Sequence, residues 1–192
     1  MKKYFIIFCF MLFFCSTVAQ KRSRFSPDEY NLQHGGSIGY FSTGVGYHVM
    51  KNKASLRFFY GFIPENKGGD YHIFSGKLLF KTSKINISDK VILQPANAGV
   101  FVAYHASGEL SSTWPSNRYP DDYYWWKSST RFHLALEHRI FYHFENNKVK
   151  KVSAYLEWNA NELYLASFWQ NHRSLQLSEV IKIGFGVGIH FE

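Results

Sequence analysis

Apolar and polar residues alternate with a period of two over much of this chain, most regularly between Ile181 and Phe191. The odd positions of that segment are all apolar, whereas the even positions are Lys182, His190 and three glycines. Successive side chains of a β-strand point to opposite faces, so this alternation predicts a strand with one apolar and one polar face.

The same pattern recurs along the chain, which predicts an all-β protein. Phe132, Leu134 and Leu136, for example, alternate with Arg131 and His133. The predicted strands are 36–49, 54–63, 70–82, 88–95, 97–109, 128–144, 150–158 and 178–192. Leu163–Trp169 is an alternative ninth strand, but a closed bacterial membrane barrel has an even number of strands, so we prefer eight.

The spacing of these strands predicts an antiparallel up-and-down β-barrel. Loops after odd-numbered strands open at one end, and the two long loops, 110–127 and 159–177, both fall there. The turns at Pro64–Gly69, Ala96 and Glu145–Asn147 are short and fall at the opposite end. Transmembrane barrels have long outer loops and short periplasmic turns, and eight strands enclose an interior that side chains fill.

Alternation alone does not distinguish a transmembrane barrel from a soluble one. The polar faces supply charged residues that are suited to pairing inside a barrel: Arg57, Arg131, Glu137, Arg139, Glu157 and Lys182. Aromatic residues near the predicted strand ends, such as Tyr40, Tyr142 and Trp158, are typical of a membrane interface. The alternative is a soluble periplasmic, lipocalin-like barrel that binds an apolar ligand, in which the apolar face of Ile181–Phe191 would point inward.

The N-terminus has the pattern of an export signal. Lys2 and Lys3 precede the apolar run Tyr4–Phe14, and the small residues Thr17 and Ala19 suit signal-peptidase cleavage. The run is shorter than the ~20 residues of a spanning helix. We therefore predict a cleaved signal at 1–19, a periplasmic lead-in at 20–35 and the barrel domain at 36–192.

Cleavage changes both the cysteine count and the charge. The chain's two cysteines leave with the signal, so neither a disulfide nor thiol chemistry is expected. The signal also removes two of the 22 Lys and Arg residues, which leaves 20 against 14 Asp and Glu residues, a formal charge of +6. Outer-membrane lipid headgroups or lipopolysaccharide phosphates are the expected anionic partners, and nucleic acid is not expected in an exported protein.

Cofactor and metal motifs are missing from the sequence. It contains no phosphate loop, zinc signature or dinucleotide fingerprint, so we predict neither a cofactor nor a metal. Several histidines fall on polar strand faces, where we expect hydrogen bonding, although convergence on a metal is an alternative: His48, His72, His133, His143 and His190.

One short segment has the residue types of a hydrolase. His105, Ser107 and Glu109 share a strand face, and a base, a hydroxyl and a carboxylate together can perform acyl transfer. The His-x-Ser spacing resembles that of the outer-membrane lipid A deacylases, which are eight-stranded barrels. The resemblance implies an acyl hydrolase whose histidine and serine meet on the lipid-facing outer rim. Gly108 stands where that family has asparagine, and its acid lies farther along, so we favour ordinary polar interior positions.

The first long loop has the composition of a contact surface for carbohydrate or protein. Its candidate binding residues are Trp114, Arg118, Tyr119, Tyr123, Trp125 and Trp126. Aromatic and arginine side chains are enriched where proteins bind partners. The alternative is a lid that packs on the barrel rim.

The last strand resembles the terminal strand that the outer-membrane assembly machinery recognises, although Glu192 replaces the usual terminal aromatic residue. The Ala19–Gln20 junction and the aromatic content also resemble small outer-membrane barrels of Bacteroidetes-like organisms. We therefore predict an outer-membrane protein without catalytic activity, which binds a surface ligand or contributes to envelope structure through its outer loops. The lipid A acyl hydrolase and the soluble barrel are the alternatives.

Overall fold

The computed structural model of the chain describes residues 26–106, 129–145, 149–172 and 174–191. Antiparallel strands make up most of these ranges, which confirms the predicted all-β class. The strands are β1 (Glu29–Gly35), β2 (Phe41–Val49), β3 (Ala54–Ile63), β4 (Tyr71–Phe80), β5 (Ile85–Asn86), β6 (Val91–Ala106), β7 (Thr130–His143), β8 (Lys151–Asn161) and β9 (Lys182–His190). Two helices, α1 (Glu162–Asn171) and α2 (Leu177–Val180), connect β8 to β9, and a 3-10 turn spans Glu65–Lys67.

The sheet closes into an eight-stranded up-and-down barrel, as predicted. Sequential strands pair with one another, and β1 pairs with β9, where Leu32 lies opposite Val187. The pairing of β4 with β6 completes the circle. The two-residue strand β5 only extends the edge beside Leu93 of β6.

The first strand of the barrel was not predicted. Glu29–Gly35 was assigned to the lead-in, yet it pairs with both β2 and β9. Its outward positions are Tyr30, Leu32 and His34, which form a weak apolar pattern, so hydrophobic periodicity did not identify it.

The predicted strands 88–95 and 97–109 are in fact one strand, β6, which contains a β-bulge. The register with β7 shifts between Gln94 and Asn97, and both of these side chains are buried in the barrel. A bulge adds one residue to a strand and so reverses the phase of its alternation. Pro95 and the phase change together produced the apparent break, and Ala96, predicted as a turn, lies within the bulge. The predicted number of eight strands was therefore right only because two errors cancelled: β1 was missed, and β6 was counted as two strands.

The corrected strand list moves one connection to the opposite end. The connections after β1, β3, β6 and β8 share one end, which we call the mouth, and the turns 50–53, 81–90 and 144–150 share the other. Pro64–Gly69 follows β3 and therefore lies at the mouth, not opposite the long loops as predicted.

Leu163–Trp169 belongs to α1, so it is not a ninth strand. Neither helix in the described ranges has the length and apolar character needed to cross a bilayer.

The two faces of the barrel wall have opposite polarity. In β9, Ile183, Phe185, Val187 and Ile189 are exposed on the outside, whereas the alternate positions are buried within. The glycines at alternate positions of β2 and β9 leave room for interior side chains, because a Cβ at Gly46 would come within 2.4 Å of Oε1 of Glu29. A small apolar cluster that includes Phe59, Ile73 and Phe101 occupies part of the interior.

Candidate functional site at the barrel mouth

Charged side chains fill the middle of the barrel. The buried set contains three cations and three anions, and each is at most 3% exposed: Arg57, Lys77 and Arg139 with Glu29, Glu137 and Glu157. These residues belong to β1, β3, β4, β7 and β8, and the inward phase of each strand brings them together. Buried charges are tolerated in proteins when they are paired and hydrogen-bonded, and this set is balanced in sign.

Two arginines and two glutamates form the larger part of this interior network. Nε of Arg57 lies 2.5 Å from Oε1 of Glu29, and its Nη1 lies 2.5 Å from Oε2 of Glu137. Nε of Arg139 lies 2.9 Å from Oε1 of Glu137, and its Nη1 lies 3.3 Å from Oε2 of Glu29. Each cation is therefore shared by both carboxylates, which links three strands across the lumen.

Lys77 and Glu157 form the part of the network nearer the mouth. Nζ of Lys77 lies 2.5 Å from Oε2 of Glu157 and donates to Oε1 of Gln33 at 3.2 Å. Asn159 donates to Oε1 of Glu157 and to the backbone carbonyl of Gly36. These contacts place a layer of paired polar side chains across the lumen below the mouth.

The sequence identified most of this network. Arg57, Glu137, Arg139 and Glu157 occupy the predicted interior, whereas Arg131 and Lys182 lie at the mouth. Glu29 was missed because its strand was missed. Lys77 was missed because Leu79 beside it blurs the polar face of β4, although its alternation with Leu78 carried the signal.

A cavity of about 440 Å³ opens above this layer, at the mouth. Its wall includes the cations Lys67, Arg131 and Lys182, and the described lining residues include no carboxylate. Nη1 of Arg131 lies 3.6 Å from Oε1 of Glu162, at the start of α1. The formal charge of the described lining residues is therefore positive.

Three histidines also line the cavity: His34, His105 and His133. His133 is 4% exposed, and its ring lies parallel to that of Phe101 with the centroids 4.2 Å apart. Neither ring nitrogen of His133 makes a hydrogen bond of good geometry to a described residue, although the side chain of Asn159 interacts with the ring, and Nε2 of His105 makes none there either. No group of three or more potential metal ligands occurs within the described ranges.

The predicted hydrolase residues are only partly covered by the structure. His105 lies on the inward face of β6 and lines the mouth cavity, whereas its neighbour Tyr104 faces outward. Ser107 and Glu109 lie outside the described residues. The candidate binding residues of the first long loop also lie outside them: Trp114, Arg118, Tyr119, Tyr123, Trp125 and Trp126.

The opposite end of the barrel has a much smaller cavity, of about 30 Å³. Nζ of Lys81 lies 2.5 Å from Oδ1 of Asn52 and 3.0 Å from Nδ1 of His48. Burial lowers the pKa of Lys81 to about 8. A space of this size holds about two water molecules, so it is too small for an organic ligand.

No protein-family model matches this chain, and a search of curated proteins likewise found no match. The functional assignment therefore depends on the geometry and polarity of the barrel itself.

Proposed function

We propose that this protein is an outer-membrane β-barrel that performs no catalysis and binds a surface ligand at its mouth end. The observation that carries the proposal is the inverted polarity of the wall, with apolar side chains outside and paired charges inside. The interior network closes the lumen, so the proposed role is binding at the outer end and not transport through the barrel.

The apolar outer face extends around the barrel. Leu32 of β1 is 59% exposed, Phe185 of β9 is 60% exposed and Leu134 of β7 is 56% exposed. Soluble monomers rarely expose a contiguous apolar patch larger than a few hundred Å². A bilayer supplies the apolar surroundings that such a surface needs, and it is the setting in which barrels have apolar exteriors and polar interiors.

Strand length is also consistent with a membrane. β2, β3, β4, β8 and β9 have 9, 10, 10, 11 and 9 residues. A tilted strand crosses the hydrocarbon core with about 9–11 residues. The long connections place the mouth at the outer side in this proposal, and outer-membrane lipid and the barrel assembly machinery are the proposed partners.

The orientation of the side chains argues against both alternative functions. A lipocalin-like barrel needs an apolar interior, but the apolar face of β9 points outward. An acyl hydrolase of the lipid A deacylase type needs its histidine on the lipid-facing rim, but His105 points toward the mouth cavity. The relationship to barrels of Bacteroidetes-like organisms stays a prediction.

Fractionation of cells that express the full chain tests this proposal. We expect the protein in the outer-membrane fraction after alkaline carbonate washing, and its mobility on a denaturing gel should change on boiling, because closed barrels resist detergent until heated. A soluble periplasmic protein whose mobility does not change on boiling would overturn the proposal.

A further inference from the structure

The mouth cavity has the size of a ligand site. Its volume of about 440 Å³ falls within the ~300–1,000 Å³ range of small-molecule pockets. The paired layer of Lys77 and Glu157 lies below the cavity, farther from the mouth. Tyr40 and Tyr164 supply aromatic surface beside its cations.

The two lysines of the cavity have no carboxylate partner in the described part of the chain. Nζ of Lys182 donates to the backbone carbonyl of Glu179 at 3.3 Å and lies 5.3 Å from the centre of the Tyr164 ring. Nζ of Lys67 lies 5.6 Å from the centre of the Tyr40 ring. A carbonyl or an aromatic face orients an ammonium group but does not neutralise it, so both charges remain available to an anion.

His133 is the second, independent feature of this cavity. It is almost completely buried, and neither ring nitrogen makes a hydrogen bond of good geometry to a described residue, although the side chain of Asn159 lies beside the ring. A buried polar group without a hydrogen bond is destabilising, so each such group calls for an explanation such as a bound ligand or water. The stacking on Phe101 holds the ring in place at the cavity wall.

We propose that the mouth cavity binds a phosphomonoester on a sugar-sized group, with Lys67, Arg131 and Lys182 holding the phosphate oxygens and His133 contributing a hydrogen bond. Several cations converging on one cavity suit an anion with several oxygens, and arginine and lysine are the usual phosphate-binding side chains. The phosphate belongs either to a free sugar phosphate or to a lipid headgroup. Only the lipid source depends on the proposed membrane location.

Calorimetric titration of the folded full chain, in an uncharged polyoxyethylene detergent and a phosphate-free buffer, tests the proposal. The probes are glucose 1-phosphate for the free source, lysophosphatidic acid for the lipid source and glucose as the uncharged control. We expect saturable 1:1 binding of at least one phosphomonoester and none of glucose. Preference for one phosphomonoester identifies the source, whereas binding of neither overturns the proposal.

Three variants locate the binding. Lys67→Gln combined with Lys182→Gln should weaken it at least tenfold, and Lys90→Gln, an exposed lysine at the other end, should leave it within twofold. His133→Phe keeps an aromatic ring beside Phe101 but removes both nitrogens, and it should weaken binding at least threefold. Each variant is first checked for the gel shift of the folded barrel. Equal weakening by Lys90→Gln, or no change in the other two variants, would show that the cavity is not the site.

Discussion

The buried cations and carboxylates inside the barrel compensate one another's charge. Glu137 accepts hydrogen bonds from Arg57, from Arg139 and, at 3.2 Å, from Nδ2 of Asn97. Glu29 is the only other carboxylate that either arginine contacts in the described part of the chain. Removal of one carboxylate therefore leaves two guanidinium groups to share the other.

We expect Glu137→Gln to lower the free energy of unfolding by about 3 kcal/mol, since an uncompensated buried charge typically costs about 3–5 kcal/mol. Urea unfolding of the folded barrel in lipid vesicles, followed by the gel mobility of the folded form, measures this change.

The matched control is Glu145→Gln. Glu145 lies 3.2 Å from Nζ of Lys90, but its side chain is 79% exposed, and exposed pairs contribute about 0–1 kcal/mol. If both variants destabilised the barrel equally, the network would not be the main electrostatic support of the fold.

At the scale of the element, each strand forms part of two surfaces with opposite requirements. β9 shows this clearly, because glycine on its inward face leaves room for large neighbours such as Tyr155, whose ring carbon would lie 2.4 Å from a Cβ at Gly186. Its outward face carries only bulky apolar residues. The β6 bulge also keeps polar side chains on the inward face, since both Gln94 and Asn97 point inside despite the extra residue between them.

Two substitutions on the outward face of β9 should destabilise the barrel by different amounts, because the two positions lie at different depths in the proposed membrane. Val187 and Ile183 are 54% and 52% exposed on the same outward face, but Val187 lies mid-strand beside Leu32, whereas Ile183 lies near the mouth. We expect Val187→Arg to cost about 2–4 kcal/mol and Ile183→Arg about 0–1 kcal/mol, because charge is tolerated near the membrane surface but not at the midplane. Each variant is refolded into lipid vesicles at a series of urea concentrations, and the yield of folded barrel at each concentration gives the difference in stability.

A barrel surrounded by water would tolerate both β9 variants alike, because its outer face would contact the same solvent at every height. Equal costs would therefore contradict the membrane proposal.

At the scale of the whole molecule, closure of the barrel removes all strand edges except that of the short β5. Closure also brings residues far apart in sequence into one layer, such as Arg57 and Glu137. Among the described residues, Lys77, Tyr155 and Glu157 fill the centre of the interior, and each is at most 5% exposed.

We expect the reconstituted protein to produce no steady single-channel conductance in planar bilayers, with an open porin as the positive control. A stable conductance step would show that the interior network leaves a pore. That result would favour transport over binding as the function of the barrel.

The sequence alone determined the strand class, the antiparallel barrel and most of the charged interior. The reason is that a period of two is a local property, readable wherever the outward residues are strongly apolar. It did not identify β1, whose outward side chains are too mixed, or the continuity of β6, whose bulge reverses the phase.

Only the tertiary structure decided which face points inward, because alternation is identical in a soluble and a membrane barrel. The mouth cavity likewise required closure of the barrel: Lys67, the β7 residues Arg131 and His133, and Lys182 lie on three separate segments, and no spacing in the sequence brings those segments together. The alternation of polar and apolar residues along each strand is a local property of the sequence. The barrel has an inside and an outside only after β4 has paired with β6 and β1 with β9.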